Sequence, residues 1–196
     1  MIRFRHCIAF LALAFTTACG SESENSGPTP GLISLSDAFT GDFALIDQNG
    51  EPVADEDLEG RAMLVYFGFT NCPDVCPGDV GVMSAVLNAL GDDADAIAPV
   101  FISVDPERDT PSALKSYFGF DERIIALTGD EESSKAARAG FIVYAAIEEM
   151  PVSALEYTVN HQRMFFITDK AGTPIFAIPG AEATPDLLVD VLRRKI

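Results

Sequence analysis

The chain has 196 residues, 13 basic against 30 acidic, for a net charge of −17 at pH 7. A protein this acidic lacks the electrostatic footprint for binding nucleic acid or an anionic lipid surface; the charge suits a basic partner or simply solubility. Once the leading segment is set aside, about 160 residues remain, enough for one well-cored domain, and there is no internal repeat or second linker.

Residues 1–18 read as a secretion signal. Arg3 and Arg5 give a basic start, and the apolar run Ile8 to Phe15 is short for a bilayer span. It ends in Thr16-Thr17-Ala18-Cys19-Gly20, small residues leading into a cysteine. That pattern resembles a bacterial lipobox, in which the signal is cut before Cys19 and Cys19 is lipidated. An ordinary signal peptide with Cys19 incidental, or an uncleaved anchor, are the other readings. Residues 19–36 form a tether, because Ser21 to Gly31 is Ser, Glu, Asn, Gly and Pro without apolar periodicity and cannot bury a core. The expectation is a lipid-anchored protein of the bacterial cell envelope with its domain, residues 37–196, in the periplasm. Cys7 and His6 leave with the signal, so Cys72, Cys76 and His161 are the remaining unmodified thiols and imidazole.

Within the domain, Phe43 to Ile46 is a short strand, followed by a turn at Asp47-Gln48-Asn49-Gly50. Ala62 to Phe69 is a nearly continuous apolar strand, as expected where both faces of a sheet are covered. Pro77 to Leu90 is a helix with proline in its first turn, and Ile97 to Val104 is another central strand. Thr110-Pro111 caps a helix running to Tyr117. Ile124 to Leu127 is a strand, Asp130 to Ala139 a helix, and Phe141 to Ala145 extended. Leu155 to Val159 and Met164 to Thr168 alternate as strands around a turn at Asn160-His161-Gln162. A hairpin turn at Asp169 to Gly172, a last strand Pro174 to Ile178 and a helix opened by Thr184-Pro185 close the chain. Its Arg193-Arg194-Lys195 end suits the helix dipole.

Alternating β and α segments imply parallel strands joined by right-handed crossovers. The fold expected is α/β and thioredoxin-like: a central mixed sheet flanked by helices, with an extra N-terminal strand and an edge β-hairpin. Cys72 and Cys76 then fall at the C-terminal end of the first long strand, where open α/β sheets place their sites.

The thiols are spaced Cys-x-x-x-Cys between Pro73 and Pro77. Cys76 opens a helix, whose free N–H groups and positive dipole end favour a thiolate there. Pro73 keeps Cys72 in a loop. A disulfide-exchange pair of the thioredoxin type normally has two spacers, and three leave room for both sulfurs to face one ion. Two soft thiolates with the imidazole of His161 make a three-coordinate set suited to Cu(I). Zinc wants four protein ligands, with Asp74 the available fourth. A peroxide-reducing layout needs a threonine and an arginine around one reactive cysteine. Thr70 is close in sequence, but no arginine is placed. Asp105, Arg108 and Asp109 read as a local ion-pair network shaping a loop, and Met150 as an adaptable exposed side chain in an insertion.

Three segments together carry a resemblance: Phe67-Gly68-Phe69-Thr70-Asn71-Cys72-Pro73-Asp74-Val75-Cys76-Pro77, Ser103-Val104-Asp105-Pro106-Glu107-Arg108-Asp109-Thr110-Pro111 and Tyr157-Thr158-Val159-Asn160-His161. Over about Asp37 to Ile196 the chain resembles the Sco/SenC family. The resemblance implies a thioredoxin-like fold and a copper metallochaperone that serves the binuclear copper centre of cytochrome c oxidase subunit II. It implies Cys72, Cys76 and His161 as ligands of copper, as Cu(I), Cu(II) or both. Periplasmic copper carriers or thiol reductants are further partners. The other function it leaves open is a thiol–disulfide oxidoreductase that reduces the cysteines of that centre through the redox pair Cys72 and Cys76. The chain departs from the family pattern at Asn160, usually Asp, and at Gln162, commonly Ser or Thr.

Overall fold

The computed structural model describes residue 29, residues 31–150 and residues 155–195. The segment read as a signal peptide, Cys19 and most of the expected tether lie outside the described residues. Ten strands and four α-helices follow in order: β1 Ile33–Ser34, β2 Ala44–Asp47, β3 Pro52–Ala54, β4 Ala62–Gly68, α1 Cys76–Leu90, β5 Ile97–Ser103, α2 Pro111–Tyr117, β6 Ile125–Thr128, α3 Glu131–Gly140, β7 Ala145–Glu149, β8 Tyr157–His161, β9 Met164–Thr168, β10 Pro174–Pro179 and α4 Pro185–Lys195. No helix among the described residues is long and apolar enough to cross a membrane.

Eight strands form one mixed sheet in the order β1-β10-β9-β4-β5-β6-β2-β3. Its centre is parallel, β4 beside β5 and β5 beside β6, while β9 runs antiparallel to β4 on the other side. Every residue of β4 and β5 is buried, which is why both read as unbroken apolar runs. Pro99 is tolerated inside β5 because it faces Leu64 on β4, while pairing to β6 begins one residue later at Val100.

Side chains alternate across β4. Tyr66 points to the face covered by α1, which packs on α4, and Phe67 points to the other face, where it meets Phe141 just after α3 (ring centroids 5.4 Å apart). Helices therefore cover both faces, and the architecture is the thioredoxin-like one expected from the element order.

Three details differ from the sequence reading. The folded part begins ahead of residue 37, since Ile33 and Ser34 pair with Ala177 and Phe176 of β10. The hairpin expected around His161 does not form. Instead β8 pairs antiparallel with β7 in a separate two-stranded ribbon, with Ala145 opposite His161 and Ile147 opposite Val159. The hairpin expected at Asp169 to Gly172 does form, as β9 paired antiparallel with β10, but the two-residue β1 lies outside it at that edge, and a second hairpin, β2–β3, closes the other edge. The run expected to be extended from Phe141 turns instead at Phe141 and Ile142 (φ 51° at Ile142), and pairing with β7 wins because the strand that starts at Ala145 offers β8 a partner, while β9 is already bonded to β4 and β10.

Candidate metal centre

The site grows from the end of β4. Gly68 donates no side chain there for a steric reason. A Cβ would stand 2.8 Å from the Tyr66 ring, 2.9 Å from Phe101 and 3.4 Å from the Cys76 sulfur. The chain then turns at Phe69 to Cys72, where the Cys72 N–H donates to the Phe69 carbonyl (3.3 Å), and enters α1 at Cys76.

Asp109 anchors this loop. Its carboxylate, fully buried, accepts the Thr70 N–H (3.1 and 3.2 Å), the Thr70 hydroxyl (2.6 Å) and the Ser103 hydroxyl (2.7 Å). Burial pushes the Asp109 pKa up, against the pull of those bonds. The local network expected for Asp105, Arg108 and Asp109 is therefore divided. Arg108 pairs with Asp105 (2.5 Å), whereas Asp109 reaches across to the thiol loop.

The Arg108 guanidinium also lies 3.7 Å from the centroid of the Tyr157 ring and donates to the carbonyls of Leu155 and Tyr157, both at 3.1 Å. The Tyr157 hydroxyl donates to Asp105 (2.8 Å). One short stretch of sequence thus holds two things: Asp109 the cysteine loop, Asp105 and Arg108 the strand that ends in His161.

His161 Nε2 stands 3.7 Å from Cys76 Sγ. The ring meets Tyr66 and Phe69 edge-on, with centroids 6.4 and 5.9 Å away. Nδ1–H donates to the Gln162 carbonyl (3.2 Å), which leaves the Nε2 lone pair facing the sulfur. Burial lowers the His161 pKa and so favours the neutral, ligating ring. The Asn160 and Asp74 residues are both exposed.

Cys76 is fully buried and Cys72 half-buried, and both are free thiols. The thiolate expected at Cys76 belongs to Cys72 instead. Cys76 donates its S–H to Cys72, and the backbone N–H groups of Asp74, Val75 and Cys76 point at the same sulfur, so the Cys72 pKa falls to about 5. Donation to Cys72, with burial next, drives the Cys76 pKa up. The helix dipole is outweighed because Cys76 is dry and Cys72 is not.

The depressed Cys72 pKa contributes stability above the unfolded thiol value of roughly 8.5, and that contribution is lost as pH falls toward about 5. In reduced, metal-free protein, iodoacetamide is expected to alkylate Cys72 with a midpoint near pH 5 while Cys76 stays unmodified, as read by peptide mass. A midpoint near 8.5 would show that no such thiolate exists.

Sequence reasoning missed Tyr66, Asp79, Tyr157 and Arg163. The Tyr66 hydroxyl donates to Cys76 Sγ (3.8 Å), and Arg163 makes a two-pronged ion pair with Asp79, both contacts 2.6 Å. No arginine joins Thr70 at a reactive cysteine in the hydrogen bonds around it; Thr70 is taken by Asp109. Among the described residues, no three Cys, His, Asp or Glu side chains already stand around one point as a metal cage. Cys76 and His161 touch, and Cys72 borders Cys76, so closing the set falls to the half-buried Cys72 loop. Two soft sulfurs, one anionic, beside a neutral imidazole fit a soft monovalent metal better than a hard one.

Residues 33–196 match the family model described as SCO1/SenC. The chain is 40% identical over 133 residues to the SCO2-like protein of Rickettsia felis, an alignment covering 67% of this chain and 65% of that protein. It thus spans just under two thirds of that relative's length. In three dimensions it is similar to Bradyrhizobium japonicum ScoI, solved with copper bound, at a TM-score of 0.74 and 37% identity over 81% of this chain and 100% of that one. It is also similar to BsSco, described as having a disulfide switch and as a member of the Sco family of cytochrome c oxidase assembly proteins (TM-score 0.63, 28% identity, 82% and 95% covered).

Proposed function

The chain belongs to the SCO1/SenC family, and on that premise we propose that it is a metallochaperone that carries copper as cargo to the binuclear copper centre of cytochrome c oxidase subunit II. It works from the periplasmic side of the cell envelope, tethered through lipid on Cys19. The observation that carries the reading is the approach of the neutral His161 Nε2 to the Cys76 sulfur beside a second, thiolate-prone cysteine.

The residues divide the work. Cys72 meets the incoming ion first, because it is the accessible and anionic thiol. Cys76 gives up its proton on binding, so about one proton per Cu(I) leaves near neutral pH, as metal binding by thiols requires. His161 completes the set through Nε2. The ion passes on by ligand exchange, with Cys72, the outermost ligand, released last or first according to the side from which the recipient approaches.

Copper titration of the reduced domain, read by thiolate-to-Cu(II) absorption and metal content, is expected to give one copper per chain. His161→Ala is expected to lose or shift that absorption while keeping its fold by circular dichroism. Tight binding indifferent to His161 would remove the three-ligand site.

A second reading is favoured by one specific feature, the Cys76-to-Cys72 hydrogen bond between an accessible thiolate and a buried thiol. That is how a disulfide reductase is arranged. Cys72 attacks one sulfur of the target disulfide and expels the other as a thiolate. Cys76 then attacks the mixed disulfide, which frees the reduced target and leaves a Cys72–Cys76 disulfide. An external thiol reductant must reset the pair. The two activities are compatible, because one thiol pair can serve both at different times.

A further inference from the structure

The two ends of the Asp79–Arg163 ion pair sit at telling places. Asp79 lies three residues after Cys76, in the first turn of α1, and Arg163 lies two residues after His161. Arg163 Nε and NH2 donate to the two carboxylate oxygens of Asp79, each at 2.6 Å. Asp79 is 1% exposed. A planar fork on a carboxylate fixes orientation as well as distance. The contact therefore ties the helix that starts with one candidate ligand to the short link that directly follows another, across 84 residues of sequence.

A second feature secures the Arg163 side chain. Gly180 is buried, and a Cβ there would come within 2.6 Å of Arg163 Cγ and 2.7 Å of its Nε. The Gly180 N–H also donates to the Arg163 carbonyl (3.0 Å). Bare backbone at 180 thus forms the wall along which the arginine stem runs. The Tyr66 hydroxyl, hydrogen-bonded to Cys76 Sγ, also interacts with Asp79. A buried ion pair contributes little net stability, since desolvation offsets the attraction, and setting registry is its best-attested use.

We propose that the Asp79–Arg163 pair is a clamp that sets the separation of Cys76 and His161, which makes Arg163 a positioning residue for the copper site. The inference rests on the copper reading of that site and goes beyond it by adding residues that touch no metal.

The test uses the reduced domain with Arg163→Gln, Arg163→Lys and Gly180→Ala. Arg163→Gln is expected to weaken Cu(I) retention in chelator competition by about 10–100-fold, the range for losing an outer partner of a ligand, and to move the Cu(II) absorption toward that of His161→Ala. Arg163→Lys keeps the charge but loses the fork and is expected to follow Arg163→Gln. Gly180→Ala keeps every charge, displaces the arginine stem and is expected to fall on the same side. If only charge mattered, the lysine and Gly180→Ala variants would behave as wild type, which would overturn the clamp.

Nitrogen-15 signals of the His161 ring in metal-free protein judge the clamp without copper. They are expected to be single and sharp in wild type and broadened or shifted in Arg163→Gln. A folded Arg163→Gln variant with unchanged ring signals would overturn the proposal. Wild-type protein that bound no copper would instead remove the functional reading, and the ring signals would still decide the clamp. If Arg163→Gln fails to fold, Gly180→Ala and Arg163→Lys give the same two outcomes.

Discussion

Cys76→Ala is expected to abolish tight copper retention and to change the acidity of the other cysteine while leaving the domain folded. Cys76 supplies the sulfur nearest His161 and the S–H that Cys72 accepts. Alanine removes both, and the described residues hold no third cysteine, so the loss should exceed the ~10–100-fold typical of an outer-shell partner. The cavity left by one sulfur costs about 1 kcal/mol. The alkylation midpoint of Cys72 should climb from about 5 toward the ordinary thiol range, because the largest cause of its depression is gone. The same variant separates the two functions. With oxidised subunit II it should accumulate a mixed disulfide through Cys72 if thiol exchange operates, because the resolving sulfur is absent. Retained copper affinity, or an unmoved Cys72 midpoint, would mean that the two sulfurs do not work as a pair.

Asp109→Ala should be among the most destabilising single changes away from the aromatic core. The carboxylate accepts the Thr70 N–H, the Thr70 hydroxyl and the Ser103 hydroxyl, with Ser103 buried and Thr70 half-buried. Each orphaned buried donor costs on the order of 1–3 kcal/mol, partly offset by relief of the buried carboxylate, for a net loss of about 3 kcal/mol. In a domain of this size that lowers the melting midpoint by roughly 6–12 °C. Asp109→Asn keeps the shape and one acceptor and should cost about half as much. Urea unfolding of the two variants gives the comparison. A loss under about 1 kcal/mol for alanine would show that the thiol loop does not depend on this anchor. Since Thr70 lies two residues before Cys72, Asp109→Ala should also speed Cys72 alkylation by loosening the turn that shields it.

Much of the architecture was legible in residues 62–104. Two uninterrupted apolar runs with a helix between them can satisfy their backbone and bury both faces only as neighbouring parallel strands. The thiol loop was legible for the same reason, since a strand of that kind must end at an edge of the sheet where the next helix begins. The partner of β8 was not legible. Strand pairing is a competition among segments, and the run 145–149, with two alanines and two glutamates, carries little strand signal of its own. The thiolate was misplaced for a related reason. Helix position can be read from a proline and a spacing, but whether a sulfur is wet or dry depends on what packs over it.

The sequence by itself determined the chemistry on offer: two thiols on one short loop, one imidazole, a buried strand to present them and an acidic exterior. Those are properties of residue type and local spacing. Only the tertiary structure decided which sulfur carries the charge, which ring nitrogen faces it, and that Asp79 and Arg163 tie the two halves of the site together. Each of these depends on burial or on contacts between residues about 40 to 85 positions apart, and such contacts leave no periodic trace in the chain, because they are set by how the sheet and helices pack rather than by neighbours along the backbone.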